Sequence, residues 1–216
     1  MFPFYFITDP VFTAPTRAVI IAGGRCPLES VVQAIEGGAR LIQYRDKINT
    51  RSTMYENAKH LREITAQAGA TLIINDQIDL ALAVSADGVH LGQNDIPIHA
   101  ARKMLGRKAV VGISTHTLEQ AVAAELEGAD YIGFGPLFKT TTKNDANAPT
   151  GISPIVEISQ RVKIPLVAIG GIEQAHLPEI FSAGATSVVA ISAISGNIES
   201  NVRAWIKIIQ SILGSA

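Results

Sequence analysis

Eight short apolar runs recur along the chain, each stopping abruptly at polar or glycine residues before a helix-like stretch begins. They read Phe4 to Thr8, Leu41 to Tyr44, Thr71 to Ile74, Gly88 to Leu91, Ala109 to Ile113, Tyr131 to Phe134, Leu166 to Ile169 and Ser187 to Ile191. Short β-rich runs alternating with helical patterns predict βα units on a parallel sheet, and eight of them predict a closed (β/α)₈ barrel. The expected fold is therefore α/β, a single TIM-barrel domain over residues 1–216. Barrels of this kind carry their chemistry at the C-terminal ends of the strands, so the residues at the stops are the ones to read.

Size and charge narrow the partners. A chain of 216 residues is short for such a barrel yet long enough for one sizeable core, and no linker or composition shift marks a second domain. With a net charge of −1 and scattered Lys and Arg, no electrostatic footprint for nucleic acid or an anionic membrane emerges, which leaves a small-molecule ligand as the expectation. Cys26 is the only cysteine, excluding an intramolecular disulfide and a cysteine-based structural zinc site. Met1 to Thr8 has no basic leader region, and no apolar stretch approaches the roughly 20 residues of a membrane-spanning helix, so a cytoplasmic protein is expected. Oligomeric state is left open, with a homo-oligomer allowed.

Helix signals fill the gaps between runs. Thr117 and Gln120 have capping-box spacing, and Gly128 closes the helix they open. Met54, Ala58, Leu61, Ile64 and Ala68 form one apolar stripe at helical spacing; Val202, Trp205, Ile206, Ile209 and Leu213 form another. A turn recurs before four strands, as Gly38-Ala39-Arg40, Ser85-Ala86-Asp87, Gly128-Ala129-Asp130 and Gly184-Ala185-Thr186. Recurrence of one helix-to-strand turn is what a repeated βα unit predicts. The first crossover, Val11 to Pro27, carries Pro15, Gly23, Gly24 and Pro27 and has no clear pattern.

The strand stops hold candidate chemistry. Alternation along the second strand puts Gln43, Arg45 and Lys47 on one side and Tyr44 and Asp46 on the other. An Arg fork beside a Lys point charge suits phosphate oxygens, although a solvated strand end with surface ion pairs fits the same residues. Asn75-Asp76 and Asp95 end the next two strands, and carboxylates on neighbouring strand ends can reach one hard cation, for which magnesium fits best. Either aspartate alone also reads as a helix cap. The five histidines, among them His90, show no tight ligand spacing and read individually as structural or surface residues. Gly170-Gly171 and Ser192 lie where loops after strands seven and eight commonly hold a phosphate. Lys139 to Gly151 is a hydroxyl-rich loop, read as a surface excursion or a lid that brings Lys143 over the site.

Taken in order, Gln43-Tyr44-Arg45-Asp46-Lys47, Asn75-Asp76, His90-Leu91-Gly92-Gln93-Asn94-Asp95, Gly112-Ile113-Ser114-Thr115-His116, Gly133-Phe134-Gly135-Pro136 with Thr140-Thr141-Thr142-Lys143, and Ile169-Gly170-Gly171-Ile172 closely resemble thiamine phosphate synthase. The resemblance runs from about Phe4 to Ile194. It implies a transferase of thiamine biosynthesis that joins 4-amino-2-methyl-5-hydroxymethylpyrimidine diphosphate to a carboxylated thiazole phosphate, releasing diphosphate and carbon dioxide. It further implies that Gln43, Tyr44, Arg45, Asp46, Lys47 and Asn75 lie against the pyrimidine diphosphate, that Asp76 and Asp95 bind Mg²⁺, and that Ser114 holds the pyrimidine. Thr140, Thr141, Thr142, Gly171, Ile191 and Ser192 would hold the thiazole phosphate, with Lys143 near the diphosphate. Arg45, Lys47, Lys143 and Ser114 are then the expected catalytic set.

Two departures accompany the match: Gln77 stands where the family often has a second Asp, and Ile20 to Pro27 is longer than usual. A thiazole tautomerase of the same fold would have no need of Arg45, Lys47, Asp76, Asp95 and Lys143 together, and a non-catalytic thiazole phosphate sensor would bind without turnover.

Overall fold

In the computed structural model, residues 4–8, 27–140, 148–190 and 192–214 are described. The first crossover, with Cys26 and most of the longer Ile20 to Pro27 segment, therefore lies outside the described residues, as do Thr141, Thr142, Lys143 and Ile191. Strands β1 (Phe4–Thr8), β2 (Leu41–Tyr44), β3 (Thr71–Asn75), β4 (Gly88–Leu91), β5 (Val110–Thr115), β6 (Tyr131–Phe134), β7 (Leu166–Ala168) and β8 (Ser187–Ala190) alternate with helices. The helices are α1 (Pro27–Glu36), α2 (Arg51–Gln67), α3 (Ile78–Ala83), α4 (Ile98–Leu105), α5 (Leu118–Leu126), α6 (Ser153–Arg161), α7 (Leu177–Ser182) and α8 (Ile198–Leu213). Every strand pairs in parallel with the next, and β1 also pairs with β8, so the sheet order closes on itself.

Strand alternation divides the side chains into two cores. Ile42, Tyr44, Leu72, Ile74, Val89, Leu91, Val111 and Ile132 face outward into the large core shared with the helices. Leu41, Ile73, Tyr131, Val167 and Val189 form the smaller core inside the sheet, with Val110 and Ile169 packed against it. The apolar interior sits low in the barrel. Above it, on the same face, come Gln43, Asn75, His90 and Ser114.

The helices bury the stripes that face this sheet. In α2 the buried residues are Met54, Ala58, Leu61 and Thr65. Thr65 replaces the expected Ile64 at the contact, and its hydroxyl is satisfied by donating to the Leu61 carbonyl at 2.8 Å. In α8 the buried face is Ile198, Val202, Trp205 and Ile209, while Leu213 at the helix end is exposed. Thr117 caps α5 by accepting from Gln120 N at 3.2 Å; the Gln120 side chain reaches one residue further back than a capping box requires, to His116 N at 2.8 Å.

The recurring turn stitches the lower rim. Gly38, Ser85, Gly128 and Gly184 all have positive φ, between 53° and 108°, the left-handed conformation that lets a helix end turn sharply into a strand. At three of the four turns the residue two places on then caps the strand next door. Asp87 Oδ2 accepts from Leu72 N at 2.7 Å, Asp130 Oδ2 from Val111 N at 2.7 Å, and Thr186 Oγ1 from Leu166 N at 3.2 Å. Asp130 also pairs with the Arg102 guanidinium. An exposed ion pair contributes little, whereas an unsatisfied strand N–H is expensive. Asp130→Ala should therefore destabilise the fold by roughly 1–3 kcal/mol, as read from urea unfolding midpoints; a loss below about 0.5 kcal/mol would contradict the capping role.

Candidate active site

The upper rim gathers Gln43, Arg45, Lys47, Asp76 and Asp95 from among the residues expected at the strand ends. Gln43 is buried, its side chain on the interior face that Leu41 opens, and Arg45 follows two residues on, half-buried. Tyr44 and Asp46 turn the other way. The Tyr44 hydroxyl donates to Asp46 Oδ2 at 2.9 Å and accepts from Asn57 of α2 at 3.4 Å. Asp46 Oδ1 accepts from the backbone N–H groups of Ile48 and Asn49, each at 3.0 Å, and Oδ2 takes the Asn49 side-chain amide at 2.8 Å. The side chains of Tyr44 and Asp46 brace the turn from β2 into α2. Burial raises the Tyr44 phenol far above its usual range, so it remains a neutral donor.

Lys47, Asp76 and Asp95 meet at the rim. The Lys47 ammonium pairs with Asp76 Oδ2. Asp76 has φ of 60°, a left-handed conformation that a residue with a side chain adopts at a cost of roughly 1–2 kcal/mol, and its N–H is held by the His90 carbonyl at 2.8 Å. This turn aims its carboxylate across the strand ends. Asp95 Oδ2 accepts from Gly92 N at 2.7 Å, folding the loop after β4 back toward Asp76. Although the Asp95 residue as a whole is exposed, lost hydration of its carboxylate raises its pKa, and the neighbouring Asp76 adds to the rise while Lys47 opposes it.

Two carboxylates brought close enough to disfavour each other's charge make a donor set of hard oxygens. Magnesium takes one or two carboxylates and completes its octahedron with water and phosphate oxygens, so Asp76 and Asp95 fit it. Among the described residues no group of three or more His, Cys, Asp and Glu side chains is placed to hold a metal. Gln77, at the family's second-Asp position, is tied back to Arg51 and to Met54 Sδ and contributes no carboxylate.

The opposite wall comes from β5 to β8. Ser114 is half-buried, and its carbonyl accepts from Gln93 Nε2 at 2.6 Å. The segment after β6 lies along the loop after β7, with Leu137 N donating to Ile169 O at 2.9 Å and Phe138 N to Gly170 O at 3.0 Å. That approach requires glycine: a Cβ on Gly171 would lie 2.6 Å from the Lys139 carbonyl, and its φ is 63°. Thr140 stands half-buried beside it, and Ser192 opens a short 3₁₀ turn after β8. Thr141, Thr142, Lys143 and Ile191 fall outside the described residues, so the lid expectation rests on the sequence alone.

His90, read from the sequence as a structural or surface residue, has buried polar partners. It sits almost buried on β4 with Nδ1 2.9 Å from the Tyr131 hydroxyl and Nε2 2.9 Å from Ser114 Oγ. The available signal was Gly112 and Gly133, glycines at alternate interior positions of β5 and β6, where rings from neighbouring strands need space.

The bracing role of Asp46 predicts a pH signature. Burial works against its ionised form, but the donors from Asn49, Ile48 and Tyr44 outweigh it and hold the carboxyl below the usual range. A depressed folded-state pKa gives stability that is present above the unfolded-state value and lost as pH falls through the folded-state value. Asp46→Ala should destabilise by roughly 1.5–3 kcal/mol at neutral pH, and the gap between the variant and the natural chain should close on acidification through that window, followed by urea unfolding. A gap that widens in acid would contradict the assignment.

Known proteins resemble this chain over most of its length. The profile of the family described as thiamine monophosphate synthase matches residues 5–194. The thiamine-phosphate synthase of Chloroflexus aurantiacus is 47% identical over 174 residues, covering 81% of this chain and 80% of that protein. That of Pelotomaculum thermopropionicum is 45% identical over 183 residues, covering 84% of each. Among solved structures, thiamine phosphate pyrophosphorylase from Pyrococcus furiosus superposes with a TM-score of 0.84 at 36% identity, covering 98% of this chain and 96% of that one. With the profile spanning most of its length and relatives of this identity, the chain belongs to the thiamine monophosphate synthase family.

Proposed function

We propose that this chain, a single-domain (β/α)₈ barrel with its active site at the C-terminal strand ends, is a cytoplasmic thiamine phosphate synthase. In this reading a pyrimidine diphosphate and a carboxylated thiazole phosphate are joined to thiamine phosphate, with diphosphate and carbon dioxide released. The observation that carries it is the meeting of Lys47, Asp76 and Asp95 at one rim, a cation and two hard carboxylates placed together where a diphosphate would be handled. The pairing of β1 with both β2 and β8 supports the closed barrel.

The reaction needs no protein nucleophile. The carbon–oxygen bond of the pyrimidine diphosphate breaks with its electron pair leaving on diphosphate, and the thiazole nitrogen lone pair forms the new carbon–nitrogen bond. The thiazole carboxylate then leaves as carbon dioxide, the electron pair of the broken carbon–carbon bond stays on the ring carbon, and that carbon takes a proton from water to complete the product. Asp76 and Asp95 would hold Mg²⁺, which when bound supplies positive charge against the diphosphate. Arg45 and Lys47 stabilise the negative charge that grows on the leaving group, and Lys143 joins them from the loop after β6. Gln43, Asn75 and Ser114 orient the pyrimidine from the interior face. Thr140, Thr141, Thr142, Gly171, Ile191 and Ser192 hold the thiazole phosphate opposite, so that its nitrogen lies in line with the breaking bond.

Incubating the purified chain with both substrates, with magnesium and then with excess chelator, tests this reading. Thiamine phosphate should accumulate only with the metal; isomerisation of the thiazole phosphate alone, or binding without either reaction, would overturn it.

A further inference from the structure

His90, Gly112 and Tyr131 occupy one row across β4, β5 and β6, since His90 pairs with Gly112 and Gly112 with Tyr131 in the parallel register. All three face the interior, because Val89, Val111 and Ile132 beside them pack in the outer core. Neighbouring strands lie about 4.8 Å apart, so His90 and Tyr131 are separated by two such spacings with β5 between them. The middle position is glycine, and a Cβ there would lie 2.0 Å from Tyr131 Cζ. The tyrosine ring crosses β5 through the space that any side chain would fill, and its hydroxyl comes within 2.9 Å of His90 Nδ1. Gly133 makes the matching allowance for the imidazole, where a Cβ would sit 3.2 Å from His90 Cε1. On the imidazole's other side, Nε2 stands 2.9 Å from Ser114 Oγ.

This relay has a preferred direction. A phenol, with a pKa of roughly 10, is a much stronger acid than a serine hydroxyl, and is the better donor to an imidazole nitrogen. With the Tyr131 O–H donating to Nδ1, the imidazole proton sits on Nε2 and donates to Ser114 Oγ. The Ser114 oxygen then already accepts one bond, and its own proton is left for a ligand. The reverse polarity would spend that proton on Nε2 and offer only an acceptor.

We infer that His90, backed by Tyr131, is a positioning residue that holds the Ser114 hydroxyl as a hydrogen-bond donor to a ring nitrogen of the pyrimidine substrate. The inference rests on Ser114 being a pyrimidine contact, as proposed above. Neither His90 nor Tyr131 needs to touch substrate. Their effect passes through one oxygen atom.

A double-mutant cycle on Tyr131 and Ser114 tests it. Tyr131→Phe keeps the ring that fills the gap over Gly112 and removes only the hydroxyl. It should lower kcat/KM for the pyrimidine diphosphate about threefold to tenfold, chiefly through KM, and leave KM for the thiazole phosphate within about twofold. In a Ser114→Ala background the same change should cost less than about twofold, because the atom through which it acts is gone. His90→Gln, which still presents an amide N–H toward Ser114, should retain more activity than His90→Phe; if the His90 variants do not fold, the Tyr131 cycle decides. An undiminished loss in the Ser114→Ala background, no loss at all, or an equal fall for both substrates would overturn the inference. Absence of product with the natural chain would instead overturn the proposed function.

Discussion

Parallel register is the constraint on which the rest of the molecule depends. Because all eight strands run the same way and close in sequence order, every strand delivers its last residues to one rim. Because side chains alternate, every second residue on each strand is committed to the interior. Leu41, Ile73, Tyr131, Val167 and Val189 fill the lower interior with apolar volume, which forces the polar members of the same face, Gln43, Asn75, His90 and Ser114, to the open end. The stitching of Asp87, Asp130 and Thr186 onto neighbouring strand starts fixes that register from below. A one-residue slip would send Gln43 outward and bring Tyr44 in.

At the rim, electrostatics take over from packing. Asp76 in a left-handed turn and Asp95 on a folded loop are held near each other despite like charge, with Lys47 supplying the compensating cation. Such an arrangement does little for the fold. In the proposed function a divalent cation would complete this site and leave the Lys47 ammonium for a phosphate oxygen.

Much of this was legible in the sequence. The strand stops gave the location of the site because a parallel sheet leaves no choice of end, and the four recurring turns were readable because Gly38, Gly128 and Gly184 solve the same backbone problem; Ser85 does so without glycine's freedom. Alternation separated Gln43, Arg45 and Lys47, expected at the barrel mouth, from Tyr44 and Asp46, yet could not show what the second set binds. That depends on where Asn57 and the Asn49 turn lie, which is tertiary information. The contacts of His90 were unreadable alone for a related reason: they involve a residue 41 positions away reaching over a glycine on the strand between. Thr65 in place of Ile64 shows the same limit on a helix, since a buried hydroxyl that bonds its own preceding turn packs as well as an aliphatic side chain.

The central claim is that the pair of rim carboxylates and the lysine between them form a metal–diphosphate site. The most direct measurement is a crystal structure with Mn²⁺ in place of Mg²⁺ and the pyrimidine diphosphate bound, the metal located by its anomalous signal. The account predicts a single metal peak contacting both Asp76 and Asp95, with Lys47 moved from Asp76 onto a diphosphate oxygen. A metal bound elsewhere, or a Lys47–Asp76 pair left intact beside bound diphosphate, would contradict it.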